Sequence, residues 1–195
     1  MFLLTKPTDE LIQRFISLQN DQPFSYRVSY SDADIPRVQP PPGYVRDHNR
    51  IRLGEGAEVF RSAKDALRRW EMFNIGWLRL CWPDAPIEIG TTVAVLADLR
   101  CFWSLNACRI VRVFDEDGDV RRYGFAYGTL PDHVERGQES FIVEWNSTDD
   151  SVWYDLAAYS RPNHMLAKLG YPVTRALQKR FARESMDAMV RGSAR

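Results

Sequence analysis

The sequence predicts an α+β fold in which a curved antiparallel sheet wraps around a long C-terminal helix, with shorter helices ahead of the sheet. Three observations carry this reading. Successive short runs rich in aromatic and β-branched residues, separated by polar turns, fill the middle of the chain. A long apolar stripe at helical spacing follows the last of these runs, and two shorter helical patterns precede them. A sheet with one apolar face must cover that face, and a single long amphipathic helix laid across it does so.

The stretch from Arg121 to Pro162 is the clearest part. Val120–Tyr127, Ser140–Trp145 and Val152–Tyr159 read as three strands of one meander. In the second, alternation puts Phe141, Val143 and Trp145 on one face and Ile142 and Glu144 on the other. The connection from Thr129 to Gln138, with Pro131, Asp132, His133 and Gly137, is longer than a tight hairpin and is a natural place for binding groups. Asn146–Ser151 is a short polar turn, and Pro162 closes the last strand.

Taken in order, Met1–Thr5 reads as an edge strand. Thr8 caps a first helix with Asp9 and Glu10 in its first turn and Leu11, Phe15 and Leu18 as its stripe, ending near Asn20. Phe24–Tyr30 alternates weakly, as a strand would. The segment around Pro36 and Pro40-Pro41-Pro42-Gly43 is irregular, and Tyr44–Leu53 is extended. Gly54 and Gly56 turn into a second helix, Ala57–Asn74, whose stripe is Phe60, Ala63, Leu67 and Trp70. Strands follow at Gly76–Trp82, Thr91–Ala97 and Ser104–Phe114, and the acidic turn Asp115–Asp119 leads into the meander. After Pro162, Asn163 caps the final helix. Its stripe is Leu166, Leu169, Val173, Leu177 and Phe181, extended by Ala188 and Met189, and Pro172 kinks it or marks a restart after Gly170.

Composition narrows the function classes. The 195 residues fit one domain, and a hydrophobic share of 45% supplies an ample core. A formal net charge of zero argues against a broad nucleic-acid footprint. Three cysteines without C-x-x-C spacing read as reduced, buried thiols of a cytoplasmic protein. No run is long and apolar enough for a membrane span, and MFLLTKPTDE lacks the basic region of a signal peptide. His and Cys show no metal-ligand spacing, and no phosphate loop, dinucleotide fingerprint or nucleophile elbow is present, so neither metal nor cofactor is expected.

The order of elements is that of the helix-grip arrangement of START and birch-allergen-like proteins, an analogy of pattern. The segments PPGYVRDHNRIRLGEG, AKDALRRWEMFNIGW, NACRIVRVFD, YGFAYGTLPDHVERGQESFIVEW and AYSRPNHMLAKLGYPVTRALQKRFARESMDAM go further. They resemble the family catalogued as domain of unknown function nineteen-ninety over roughly Pro7 to Met189. Residues 6–190 then form the core, and 191–195 a frayed end. Where the family resembles Val-Gly-Ala-Thr, this chain has Val28-Ser29-Tyr30-Ser31, so a glycine turn is replaced. The resemblance brings no activity with it. It implies kinship with proteins that bind apolar small molecules.

The candidate ligand-binding residues are Trp70, Trp103, Arg109, Tyr127, His133, Glu139 and Tyr154. The aromatics either wall a cavity between sheet and helix or simply pack the core, and Trp103, beside Phe102, is the foremost of them. His133 with Glu135 and Glu139 nearby offers acid–base chemistry near neutral pH, or is a solvated loop histidine. Arg109 interrupts an apolar strand. It is either paired by Glu139, Glu144 or Asp155, or anchors the polar end of a ligand. Asp47-His48-x-Arg50 is an anion site or a structural ion pair. The expected function is binding of an apolar or amphipathic small molecule. The alternatives are a cyclase, dehydratase or hydrolase using Asp47, His133 or Glu139, and a partner-binding module that docks through Arg175–Arg183.

Overall fold

The computed structural model describes residues 1–27, 35, 39–82, 84–165 and 169–194. One antiparallel sheet runs through the molecule. In chain order its strands are β1 (Phe2–Leu3), β2 (Val45–Glu55), β3 (Leu78–Cys81), β4 (Thr92–Asp98), β5 (Trp103–Glu116), β6 (Val120–Thr129), β7 (Glu135–Asn146) and β8 (Ser151–Pro162). They lie in the order β2-β8-β7-β6-β5-β4-β3, with β1 paired to the start of β5. All neighbours from β3 to β8 are consecutive in sequence, as a meander requires. The exception is β2, which crosses over to pair β8.

The first helix, α1 (Asp9–Gln19), starts as its sequence dictates: Thr8 Oγ1 accepts the Leu11 N–H at 3.2 Å, and Asp9 and Glu10 occupy the first turn. Its buried stripe is Ile12, Phe15 and Gln19, whereas Leu11 and Leu18 of the expected stripe are exposed. That stripe packs Leu96, Leu105 and Ala107 on the outer face of the sheet.

The second helix, α2 (Gly56–Arg68), stops earlier than its apolar pattern suggests. Trp70 turns left-handed at φ 56°, and a single 3-10 turn, Glu71–Phe73, follows. The stripe itself is as read, with Phe60, Ala63, Leu67 and Trp70 all buried on the inner face. The last helix, α3 (Tyr171–Ser193), begins after Gly170 with Pro172 in its first turn, the restart that the Gly-x-Pro pattern allowed.

Four expectations are corrected. Asn163 does not cap α3, whose N-cap is Gly170; its amide donates to the Pro131 and His133 carbonyls at 3.0 and 2.9 Å. Residues 24–27 form no strand, and 28–30, with the Val28–Ser31 departure, lie outside the described residues, as does Leu166. β7 begins at Glu135, not Ser140, so the connection after β6 is only Leu130–Val134. The C-terminus is not frayed from residue 191: Gly192 is buried so closely that an added Cβ would lie 3.2 Å from Glu71 and 3.3 Å from Ala66.

The inner face holds the main core, where Phe125, Phe141, Val143, Tyr154 and Leu156 meet α2 and the second half of α3. On the outer face, a buried ionic network crosses β2, β8, β7, β6 and β5. Arg122, 4% exposed, donates to Glu144 at 3.0 Å and to Glu116 at 2.9 Å. Arg50 binds Glu144 at 2.7 Å and also Asp155, which His48 contacts as well. The Asp47-His48-x-Arg50 cluster is thus split by strand alternation. His48 and Arg50 join this network, while Asp47 faces inward.

Candidate functional site

A cavity of about 460 Å³ opens between the inner face of the sheet and the first half of α3. Its origin is visible in the register. One rung across the inner face aligns Asn49, Leu156, Phe141 and Phe125, large side chains that pack solidly except at Asn49. The next rung toward the open end aligns Asp47, Ala158, Glu139 and Tyr127. Beyond it, Ser160 faces Gly137. Along β4 and β5 the sequence is similar, with Val93 opposite Cys108, Val95 opposite Asn106 and Ala97 opposite Ser104. Side-chain volume falls in the same direction on β7, through Phe141, Glu139 and Gly137, and on β8, through Leu156, Ala158 and Ser160, and the space it leaves is the cavity.

The first half of α3 spans this hollow. Leu177 and Phe181 are half-buried against it, and tight packing resumes only at Ala182, Ser185, Ala188 and Met189. Val173, at the start of the stripe, is 64% exposed. A bidentate ion pair holds the bridging half in place: Arg175 donates from both terminal nitrogens to Asp47 on β2, each at 2.6 Å. Gln178 adds a bond to Ser160 on β8 at 3.2 Å.

The walls are apolar over most of their area, from Phe2, Phe73, Trp77, Val95, Leu156 and Phe181 among others. Polar groups gather on β7 and its neighbours. Tyr127 Oη donates to Glu139 Oε2 at 2.6 Å. Burial pushes the Glu139 carboxyl up to about 7; the Tyr127 hydrogen bond opposes this, and the nearby Asp47 charge adds to it. Glu139 keeps some surface, but that surface lines the cavity. Burial also pushes Glu135 to about 7, opposed by the Ser160 hydroxyl and the Arg175 charge. His133 is drawn down to about 3, by burial first and by the positive amino terminus second. Its Nδ1 lies 3.0 Å from both the backbone nitrogen and the carbonyl oxygen of Glu135, so either tautomer of the neutral ring meets a backbone partner there. Asn106 accepts the Val134 N–H at 3.1 Å and so pins the loop that carries His133.

Of the seven residues singled out from sequence, Tyr127, His133 and Glu139 line this cavity, and the other four do not. Trp70 is core: its indole N–H donates to the Ala85 carbonyl at 3.0 Å, and its ring meets Phe125 at 4.7 Å. Trp103 packs with the outer-face cluster under α1, with Lys6 over its ring, while its neighbour Phe102 lines the cavity. Tyr154 lies at the packed end, one rung beyond Leu156, with its hydroxyl 3.1 Å from Ser185 of α3. Arg109 points to the outer face. It binds the carbonyls of Gln19 (2.7 Å) and Gln22 (3.1 Å) at the end of α1 and stacks on Phe24. It serves there as a C-terminal cap for α1 and neither pairs with a carboxylate nor meets the cavity. Arg175, counted from sequence in a solvent-facing docking surface, is instead the Asp47 clamp, and Arg180 is engaged by Glu184 at 2.8 Å.

The inward-facing residues that sequence reading missed are chiefly Asn49, Ser104, Asn106 and Gln178. A signal existed for Glu135: counting back by two from Phe141 gives Glu139, Gly137 and Glu135 on one face. For Arg109, its apolar neighbours Cys108 and Ile110 face inward and leave it the other side.

Residues 29–188 match the model of the family described as "Domain of unknown function (DUF1990)". The chain belongs to the DUF1990 family. A UPF0548 protein of Dictyostelium discoideum is 35% identical over 206 residues, covering 98% of this chain and 95% of that protein. A UPF0548 protein of Deinococcus radiodurans is 32% identical over 204 residues, covering 99% of each. Among solved structures, the hypothetical protein jhp0584 of Helicobacter pylori matches with a TM-score of 0.51 and 14% identity over 78% of this chain and 90% of that one. Human STARD10 matches with a TM-score of 0.47 and 10% identity, over 98% of this chain and 82% of that one. At these identities the likeness to jhp0584 concerns fold alone, and that to STARD10 adds no argument. The DUF1990 chain is a helix grip by its own geometry: a meander of antiparallel strands closed by β2 and laid around α3. Among the described residues, no helix is long and apolar enough to cross a membrane, and no group of three or more His, Cys, Asp or Glu is placed to hold a metal ion.

The two raised carboxyls make a pH prediction with a definite sign. A carboxyl near 7 in the folded chain and near its ordinary 4.5 when unfolded adds most stability below 4.5, and that stability is lost as pH rises through 7. Glu139→Gln removes one such group. Urea unfolding of wild type and variant at pH about 4.5 and about 8 should show the variant gaining about 2–3 kcal/mol relative to wild type at the higher pH. A difference that does not change with pH would show that Glu139 is not held neutral. His133 works in the opposite sense, its contribution being present above 6.5 and lost as pH falls toward 3, and it is common to both proteins.

Proposed function

We propose that this DUF1990 protein reversibly binds an apolar or amphipathic small molecule in the cavity between the sheet and α3. The observation that carries the reading is the combination of an apolar hollow of about 460 Å³ with a few convergent polar groups on one wall. That is the size and make-up of a small-molecule site, in which apolar area supplies affinity and a few polar groups fix orientation. The bridging half of α3 suits the role. Its exposed Val173, half-buried Leu177 and polar ties to Asp47 and Ser160 make it the part of the covering helix with least apolar burial to lose on opening. We also place the protein in the cytoplasm, since Cys81, Cys101 and Cys108 are all free thiols, as a reducing compartment keeps them.

A second reading, an enzyme in the same cavity, is favoured by one observation: Asp47, His133 and Glu139 all line it. Their states narrow the chemistry. Asp47 is neutralised by Arg175, and His133 is too weak a base to protonate near neutral pH. Glu139, near 7 and bonded to Tyr127, is the group fitted to move a proton.

Mass spectrometry of small molecules extracted from freshly purified protein tests the binding reading. A reproducible compound near one equivalent is expected, and it should be absent from Ala158→Trp, whose ring would fill the hollow between Asp47 and Glu139. A folded Ala158→Trp that retains the same compound would place binding elsewhere.

A further inference from the structure

We propose that the occupant of the cavity is an amphipathic amine, its apolar body against Phe73, Val95, Leu156 and Phe181 and its protonated amino group held at the wall formed by Glu135 and Glu139. This rests on the binding reading and gives it a ligand class. The polar wall is acidic, and two of its oxygens lack a donor. Glu135 is 8% exposed and lines the cavity, yet its Oε1 has no hydrogen-bond partner. Glu139 receives Tyr127 at Oε2, and no donor reaches Oε1 among the described residues. A buried acceptor left without a partner is costly, and a ligand that brings the donor removes that cost.

The choice of a cation follows from the charges around this wall. Asp47, Glu135 and Glu139 all line the hollow. Arg175, the basic group beside them, already gives both terminal nitrogens to Asp47. His133 is held neutral, and its Nδ1 is engaged by the Glu135 backbone. Lys179, the one lysine in the lining, sits on the exposed side of α3. An anionic headgroup at the β7 wall would face two carboxyls, and among the described lining residues no unpaired cation lies beside them. An ammonium supplies three donors and opposite charge, and a charge-assisted hydrogen bond to carboxylate is among the stronger ones available. Glu135 and Glu139 lie four residues apart on one face of β7, roughly 13 Å along a straight strand, so one carboxyl takes the ammonium directly and the other adds negative charge along the same wall.

The test compares three probes of one chain length, decylamine, decanol and decanoate, by calorimetric titration of the full chain near pH 7.5, where the amine stays protonated. Decylamine is expected to bind roughly tenfold or more tightly than decanol. Glu139→Gln and Glu135→Gln should each erode that preference by weakening decylamine binding more than decanol binding. Far-ultraviolet circular dichroism would confirm that both variants are folded. If decanol binds but decylamine shows no advantage, or if both variants keep the full amine preference, the amine assignment is overturned and the apolar cavity stands. If decanoate binds most tightly, the headgroup sits at Lys179, and the assignment is again overturned. If none of the three binds, the cavity reading falls and the amine with it.

Discussion

Gly137→Ala is expected to lower stability by more than about 3 kcal/mol and to leave little folded protein at 37 °C. Gly137 sits in β7 at φ +156°, a conformation side chains rarely adopt. An added Cβ would lie 1.9 Å from the Tyr159 carbonyl oxygen and 2.9 Å from the Ser160 Cα, both backbone atoms of the paired strand. Neither can swing away, so β7 and β8 would have to part at the rung that shapes the cavity. Thr129 makes the distortion specific to this place, since its hydroxyl accepts the Gly137 N–H at 2.9 Å and donates to the Gly137 carbonyl at 3.2 Å. Gly118 is the control. Its φ is +154°, but the nearest atom to an added Cβ is 4.0 Å away, so Gly118→Ala isolates the conformational part at about 1 kcal/mol. Chemical denaturation of the two variants checks both values. Equal losses at the two sites would mean that the backbone clash at Gly137 relaxes at little cost.

Arg122→Met is expected to cost about 3–5 kcal/mol, the range for removing one partner from a buried ion pair. The guanidinium is almost fully enclosed, lies over the Phe114 ring, and bridges Glu116 and Glu144 across three neighbouring strands. Without it, Glu144 would lose its Nε donor at 3.0 Å and would lean on Arg50, a cation it already shares with Asp155. The size of the loss comes mainly from stranding Glu144, not from the intrinsic worth of the pair. The double variant Arg122→Met with Glu144→Leu should therefore recover more than half of it, measured by thermal or urea unfolding in a double-mutant cycle. Additive losses would locate the stability in two independent contacts instead. Because this network lies on the outer face, neither variant should change the probe preferences of the cavity.

How much of this was legible beforehand varies along the chain. The Phe60-Ala63-Leu67-Trp70 stripe of α2 and the inward faces of β7 and β8 follow from local periodicity, which sequence carries directly. The end of α2 did not, because the left-handed turn at Trp70 is imposed by packing on Phe125. α1 was placed correctly but rotated, since Leu11 and Leu18 compete with Ile12 and Phe15 for the same spacing and only the sheet decides between them. The start of β7 was missed because Arg136-Gly137-Gln138 looks like a turn, and pairing with Arg161, Ser160 and Tyr159 makes it strand.

The sequence by itself determined the class of fold, the family, the number and order of the meander strands and the existence of a covering helix. Each of these depends on patterns within one element or on the succession of elements. Only the tertiary structure decided which end of the sheet is packed and which is hollow. That outcome depends on rungs that bring Asp47, Ala158, Glu139 and Tyr127 side by side from four separate strands. Aromatic content pointed to Trp70, Trp103 and Tyr154, which pack in the two cores, as well as to Tyr127, which lines the cavity. The cavity arises where the aligned side chains are small or polar, at Ala158, Ser160, Gly137, Ser104 and Asn106. Each of these is unremarkable alone, and volume becomes a signal only when residues as much as a hundred positions apart share one rung.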